Sequence, residues 1–329
     1  MDDAKGSPVL RYLVRRVLWV AFVLLLITLI TYLIFFLMPP TDPAVNFCGR
    51  QPTQECIAEV RHQFGLDKPV YAQYALFVKR VFIGDEYGWP GMGFSFNTRS
   101  ALKPIILDRL GVTLQLAMGA AVLWVVMGIP IGVLSARRPR SGMDRAAMGV
   151  ALFGVSAPVF WLGLMMLYVF WFKLGIASGS GFVPISEGFF TWLNHLIMPW
   201  TALALLYAAF YVRMLRGDLM DAMNEDYIRT ARAKGLSERR VLYKHGLRAA
   251  ITPMVTLFGV NLGTLLGGAT VTETVFNIPG LGRFSLQAIR QGDLYALVDV
   301  TLIGAFFVVL ANLVVDILYA FLNPRVRYS

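Results

Sequence analysis

Six runs of roughly twenty apolar residues limit what this chain can fold into, because each is long enough to cross a bilayer as a helix. They lie at about Val17–Met38, Leu110–Ser135, Ala146–Phe172, Leu193–Val212, Ile251–Thr272 and Val300–Leu322. Only 15% of the 329 residues are charged and 57% are hydrophobic, where soluble chains carry about 25% charged residues. The expected fold is therefore all-α and polytopic, with six transmembrane helices. The first run exceeds the 7–15 apolar residues of a secretory signal, and Leu37-Met38-Pro39-Pro40 offers no small-residue cleavage site. It reads as a retained helix.

The net charge of +10 raises the question of nucleic acid, and its distribution answers it. With six spans and an inside N-terminus, the inner segments hold 19 of the 30 Lys and Arg residues. They include Arg11, Arg15 and Arg16, the turn Arg137 to Arg145, nine residues within 213–250, and Arg325 with Arg327. The outer segments are longer and hold the remainder. Basic residues near span ends are retained in the cytoplasm. The charge is topological, both termini are expected in the cytoplasm, and no nucleic-acid partner is implied.

The chain then divides into a lead-in (1–16), a first span (17–38), an outer cap (39–109), a five-helix core (110–322) and an inner tail (323–329). The core carries a cytoplasmic segment at 213–250 and an outer segment at 273–299. The only cysteines, Cys48 and Cys56, share the outer cap. On the oxidising side they are placed to form a disulfide, with two free thiols as the plainer alternative. His62, His195 and His245 fall on different sides of the expected membrane and cannot form one metal cluster. No Gly-x-x-x-x-Gly-Lys-Ser/Thr loop occurs, so any ATPase driving transport is expected to be another chain.

The 38 residues from Arg213 to Ala250 far exceed what a reversal of direction requires. Asn224 to Lys234 reads as a helix, with Tyr227, Ile228 and Ala231 on one face. Gly235 suits the left-handed position after a helix end. Ser237 suits the N-cap of a second helix, Glu238 to Arg248, with Glu238 at its positive end. An amphipathic hairpin on anionic lipid is one reading. Asp218, Asp221, Glu225, Asp226 and Glu238, interleaved with nine basic residues, favour a protein partner instead.

The stretch Asp226-Tyr227-Ile228-Arg229-Thr230-Ala231-Arg232-Ala233-Lys234-Gly235-Leu236-Ser237 resembles the EAA loop of ABC importer permeases, in the form usual in the dipeptide/oligopeptide branch. Arg229-Thr230 stands where Glu-Ala is general, while Ala231 and Gly235 match. Phe64-Gly65-Leu66-Asp67-Lys68-Pro69 with Gln73-Tyr74 is similar to that branch. So are Glu273-Thr274-Val275-Phe276 with Pro279-Gly280-Leu281-Gly282, and Asp316-Ile317-Leu318-Tyr319 with Asn323-Pro324-Arg325-Val326-Arg327. The resemblance implies a type I ABC importer permease fold and makes the loop a coupling helix that docks in a groove of a cytoplasmic ATPase. It implies a paralogous permease as heterodimer partner, two ABC ATPases that bind the ATP and Mg, and an extracytoplasmic binding protein. No cofactor is expected in this chain.

Gly259, Gly263 and Gly267 recur at four-residue spacing in the fifth run, with Gly268 beside them. Small residues on one face allow close helix approach. Packing within this subunit is one reading, and a face toward the pathway or a partner permease is the other. Gly128 and Gly132 around Pro130 read the same way. Asn261, Asn312 and Asp316 are polar within apolar runs; an ionised Asp at mid-bilayer costs about 2.5–3.5 kcal/mol and should face protein or water. A structural hydrogen-bond role for Asn312 and Asp316 is favoured over a pathway role. In the outer segment, Glu273, Phe276, Pro279, Gly280 and Leu281 precede a helix-like run, Phe284–Arg290. Non-helical backbone there requires burial in protein or contact with water. The expectation is an outer gate and docking surface for a binding protein, against an ordinary connecting loop.

A stand-alone secondary transporter is disfavoured by the lack of internal repeats and the single intramembrane acid. An intramembrane enzyme is disfavoured by the absence of paired carboxylates, Gly-x-Ser-x-Gly and His-Glu-x-x-His. The leading expectation is a non-catalytic permease subunit for di- or oligopeptides. Nickel complexes, glutathione, oligosaccharides and haem are the cargo alternatives that the resemblance leaves open.

Overall fold

The computed structural model describes residues 8–38, 44–45, 48, 52–63, 65–95 and 98–322. Side chains are described from residue 14 to residue 317 within those ranges, except that of Gln63. Phe64, residues 1–7 of the lead-in and the 323–329 tail lie outside the described residues. Helix α1 (Pro8–Tyr32) ends in a wide turn at Leu33–Leu37, followed by α2 (Gln54–Gln63) and α3 (Val70–Ile83). Two short antiparallel strands, β1 (Phe94–Ser95) and β2 (Ser100–Ala101), precede α4 (Leu102–Arg137), α5 (Gly142–Ser156) and α6 (Val159–Lys173). Then come α7 (Phe189–Ala222), α8 (Asp226–Ala233), α9 (Glu238–Ala250), α10 (Thr252–Leu266), α11 (Thr270–Val275), α12 (Leu281–Gln291) and α13 (Leu294–Leu322).

Among the described residues, four helices are long and apolar enough to cross a membrane, and six spans result if each of two bent helix pairs counts as one. The third apolar run is not the straight helix expected over Ala146–Phe172. α5 and α6 meet at 105°. Ala157 is extended (φ −77°, ψ 125°), the conformation imposed on a residue preceding proline, and Pro158 opens α6. The fifth run also departs from its expectation. α10 stops at Leu266, Gly268 takes φ +123°, and the chain restarts as α11. α9 and α10 meet at 48°, and α9 widens into π-type turns at Val241–Gly246.

The chain forms two compact units. The first comprises Met1–Leu114, Gly263–Thr270 and Pro279–Leu313. Its core joins Val60, Met92, Leu102, Ile106, Leu281, Phe284, Ala288 and Ala296. Asp299, 4% exposed, pairs with Arg80 at 3.7 Å, and the Arg80 guanidinium stacks 4.4 Å over Tyr295. A buried hydrogen bond from Ser95 Oγ to Asp293 ties the β-turn to the start of α13. Gly263 and Gly267 bring α10 against α13. A Cβ on Gly263 would lie 2.9 Å from that of Ala311, and one on Gly267 would lie 3.3 Å from Gly304 Cα.

Cys48 and Cys56 are disulfide-bonded within this unit. Closing so short a loop removes denatured-state entropy worth about 2–3 kcal/mol. Cys56→Ser should lower the thermal midpoint of the purified protein, and reductant should produce the same shift in the wild type. If reductant moves the wild-type midpoint no more than that of Cys56→Ser, the bond contributes nothing to stability.

The second unit comprises Gln115–Leu262, Val271–Ile278 and Val314–Ser329. It is organised around α7, whose residues Leu196, Ala202, Leu203, Ala208, Val212, Leu215 and Leu219 are buried. Small residues let α7 approach two neighbours at backbone distance. A Cβ on Gly128 or Gly132 of α4 would lie 2.9 Å from Tyr211 Cβ or 3.1 Å from Leu215 Cβ. One on Gly154 of α5 would lie 2.9 Å from that of Ala209.

Candidate coupling and gating sites

The segment that follows α7 folds into a small knob with its own core. α8 is bounded by Glu225, extended at ψ 153°, and by Gly235 at φ +73°. The Gly235 N–H donates to the Arg232 carbonyl at 2.9 Å. Ser237 adopts the extended N-cap backbone (ψ 144°) of α9, yet its side chain makes no capping bond. Its carbonyl accepts from Val241 N at 3.0 Å instead. Ile228, Ala231 and Val241 are buried together, with Met223 and Leu236 against them. Arg232 closes the turn with a two-point pair to Glu238 at 2.8 and 3.3 Å.

Tyr227, expected on one face with Ile228 and Ala231, is 44% exposed, while those two are buried. With Asp226, Arg229, Thr230 and Lys234 it makes up the outward face of the knob. Asp226 and Arg229 pair at 3.2 Å in solvent, where such contacts contribute about 0–1 kcal/mol. Partial desolvation, with Glu225 nearby, raises the Tyr227 phenol above its ordinary value. The knob thus turns its apolar residues inward and offers charges of both signs outward.

The outer residues singled out in the sequence are mostly interior. In the second unit, Glu273 is fully buried and Phe276 is 2% exposed. The Phe276 ring lies against α6, where a Cβ on Gly163 would stand 3.0 Å from its Cε2. Its carbonyl accepts from Gly181 N at 2.7 Å. In the first unit, Gly280 and Leu281 are buried, Pro279 is half-buried, and Leu281 N donates to Thr113 Oγ1 at 2.9 Å. Gly282 crosses the α11 start so closely that a Cβ would sit 2.7 Å from Thr270 Cα. The exposed positions of the 271–278 stretch are Val271, Thr274 and Asn277.

Among the intramembrane polar residues, Asn261 reaches the Tyr211 hydroxyl at 3.5 Å. Gly259 is buried, and Asn312 and Asp316 are half-buried on successive turns of α13. One polar group went unnoticed in the sequence. Asp144, 3% exposed, accepts Nε and Nη2 of Arg216 at 2.6 and 2.8 Å. It also accepts from Arg140 N at 2.7 Å and from the Ser135 hydroxyl. Asp144 and Arg216 stand 72 positions apart, and only the bond from Asp144 N–H to Ser141 Oγ is local.

Residues 128–328 match the family described as binding-protein-dependent transport system inner membrane component, and residues 9–117 match its N-terminal companion. The chain belongs to this family. This permease is 36% identical over 339 residues to the dipeptide transport system permease protein DppB of Alkalihalophilus pseudofirmus, covering 97% of this chain and all of the relative. It is also 36% identical to DppB of Escherichia coli K12, over 97% of this chain and 99% of the relative. A putative peptide transport system permease protein of Brucella abortus is 36% identical, over 96% and 99% of the two chains.

Among solved structures, the permease resembles one titled inward facing conformations of the MetNI methionine ABC transporter. The TM-score is 0.53 at 20% identity, covering 68% of this chain and 98% of that one. That likeness establishes the ABC-permease fold. The permease is a multi-pass protein of the bacterial inner membrane.

Proposed function

We propose that this permease forms one half of the translocation pathway of an ATP-driven importer of di- or oligopeptides. A paralogous permease supplies the other half, and an extracytoplasmic binding protein delivers the cargo. Two cytoplasmic ATPase chains bind ATP and Mg, and this subunit performs no hydrolysis. The observation that carries the reading is the knob. A cytoplasmic element with a closed apolar interior and an exposed face of mixed charge is built to be gripped by a protein.

Both termini lie in the cytoplasm in this reading, which puts the knob on the ATPase side. When the ATPases close on ATP they bind one knob position better than the other. The permease population then shifts between outward-facing and inward-facing arrangements. The buried contacts of Phe276 and Leu281 suit an outer gate held by apolar packing, and docking of the binding protein then falls to neighbouring exposed groups. Near-full-length likeness to dipeptide permeases supports peptides as cargo.

The test is purification of the native complex, followed by mass spectrometry of the ligand carried by its binding protein. Short peptides are the expected result. A nickel complex, glutathione, an oligosaccharide or haem would replace the cargo and leave the rest standing. ATP-independent transport by the permease alone would remove the importer reading altogether.

A further inference from the structure

The Asp144 network joins the cytoplasmic ends of three helices through one carboxylate. Ser135 lies in the last turn of α4, Asp144 in the first turn of α5, and Arg216 near the end of α7. The backbone N–H of Arg140, in the α4–α5 turn, completes it. α7 is also the helix that leads into the knob, ending at Ala222, with α8 starting at Asp226. A displacement of the knob therefore enters the membrane part through the end of α7.

Small-residue contacts hold α7 against α4 at Gly128 and Gly132 and against α5 at Gly154. Such smooth surfaces fit closely and resist sliding poorly. The two-point Arg216 pair supplies what they lack, since a planar guanidinium on a carboxylate fixes both distance and direction. The carboxylate is buried, at 4% exposure, while the guanidinium is 23% exposed.

We propose that Asp144 is a positioning residue for transport. It locks the inner ends of α4, α5 and α7 into one body, so that movement of the knob is passed to α4 and α5 and not lost as slip of α7. This rests on the importer reading above. No other cation is hydrogen-bonded to Asp144 among the described residues.

The test uses the complete complex in liposomes, with the binding protein as purified from the native host. The readout is stimulation of ATP hydrolysis by the binding protein over the basal rate. Asp144→Asn keeps the shape and removes the charge; Arg216→Lys keeps the charge and removes the two-point geometry; Ser135→Ala removes only the α4 tie. Asp144→Asn and Arg216→Lys should both assemble with basal hydrolysis within two-fold of wild type and lose stimulation at least five-fold. Ser135→Ala should show a smaller loss.

Wild-type stimulation preserved in all three variants overturns the proposal. If Asp144→Asn fails to assemble, the milder pair decides. Stimulation retained in both Arg216→Lys and Ser135→Ala, or lost only in proportion to assembly, leaves a purely structural pair. Absence of stimulation in the wild type is a different failure, that of the importer reading itself.

Discussion

Ala231→Arg will cut ATP-driven uptake by the reconstituted complex at least ten-fold while leaving the permease inserted in the membrane. Ala231 is 6% exposed and packs with Ile228 and Val241, the three buried residues at the centre of the knob. An arginine there must bury its charge, at a cost of several kcal/mol, or push α8 away from α9. So small a core has no reserve, and regions with few buried contacts open first. The apolar spans are untouched, which is why insertion should survive. Gly235→Pro should act in the same direction for a separate reason. Proline is fixed near φ −65° and has no N–H, whereas Gly235 stands at φ +73° and donates to Arg232 O. Gly235→Asn, tolerated in the left-handed region, should retain most of the uptake. Uptake by Ala231→Arg within two-fold of wild type, at equal amounts in the membrane, would show that the knob's internal packing does not matter to coupling.

What could be read in advance followed the range of the interactions. The turn at Gly235 and the start of α9 at Ser237 depend on residues within a few positions, and both stand where the sequence placed them. The same holds for Cys48 and Cys56, which bond across eight positions. The break at Ala157-Pro158 was also local, but an unbroken run of apolar residues masked it: hydropathy reports length and not direction. Tyr227 shows that helical spacing alone does not say which neighbour covers a side chain. Met223 and Leu236 settle on the Ile228 and Ala231 side, and Tyr227 is left outside. Asp144 with Arg216, and Arg80 with Asp299, were out of reach. None of the four carries a local signal of pairing, and only folding across 72 or more positions brings each acid to its base.

Phe276→Ala should raise basal ATP hydrolysis or solute leak by several-fold in the reconstituted complex. The ring is 2% exposed and seated against α6 at Gly163, so its loss leaves a cavity that a rigid backbone cannot fill. Truncations of this kind cost about 3–5 kcal/mol. Had Phe276 packed equally well in both transport states, that loss would lower stability without changing their ratio. A gate is different, because its packing exists in one state and is given up in the other. About 3 kcal/mol withdrawn from the closed arrangement alone shifts the balance by roughly two orders of magnitude, at 1.4 kcal/mol per factor of ten. Phe276→Leu keeps most of the apolar volume and should show a much smaller rise. Thermal unfolding separates the two cases. A lowered midpoint with unchanged hydrolysis and leak makes Phe276 a core residue of α11 and its surroundings, while a rise in either makes it part of the outer gate.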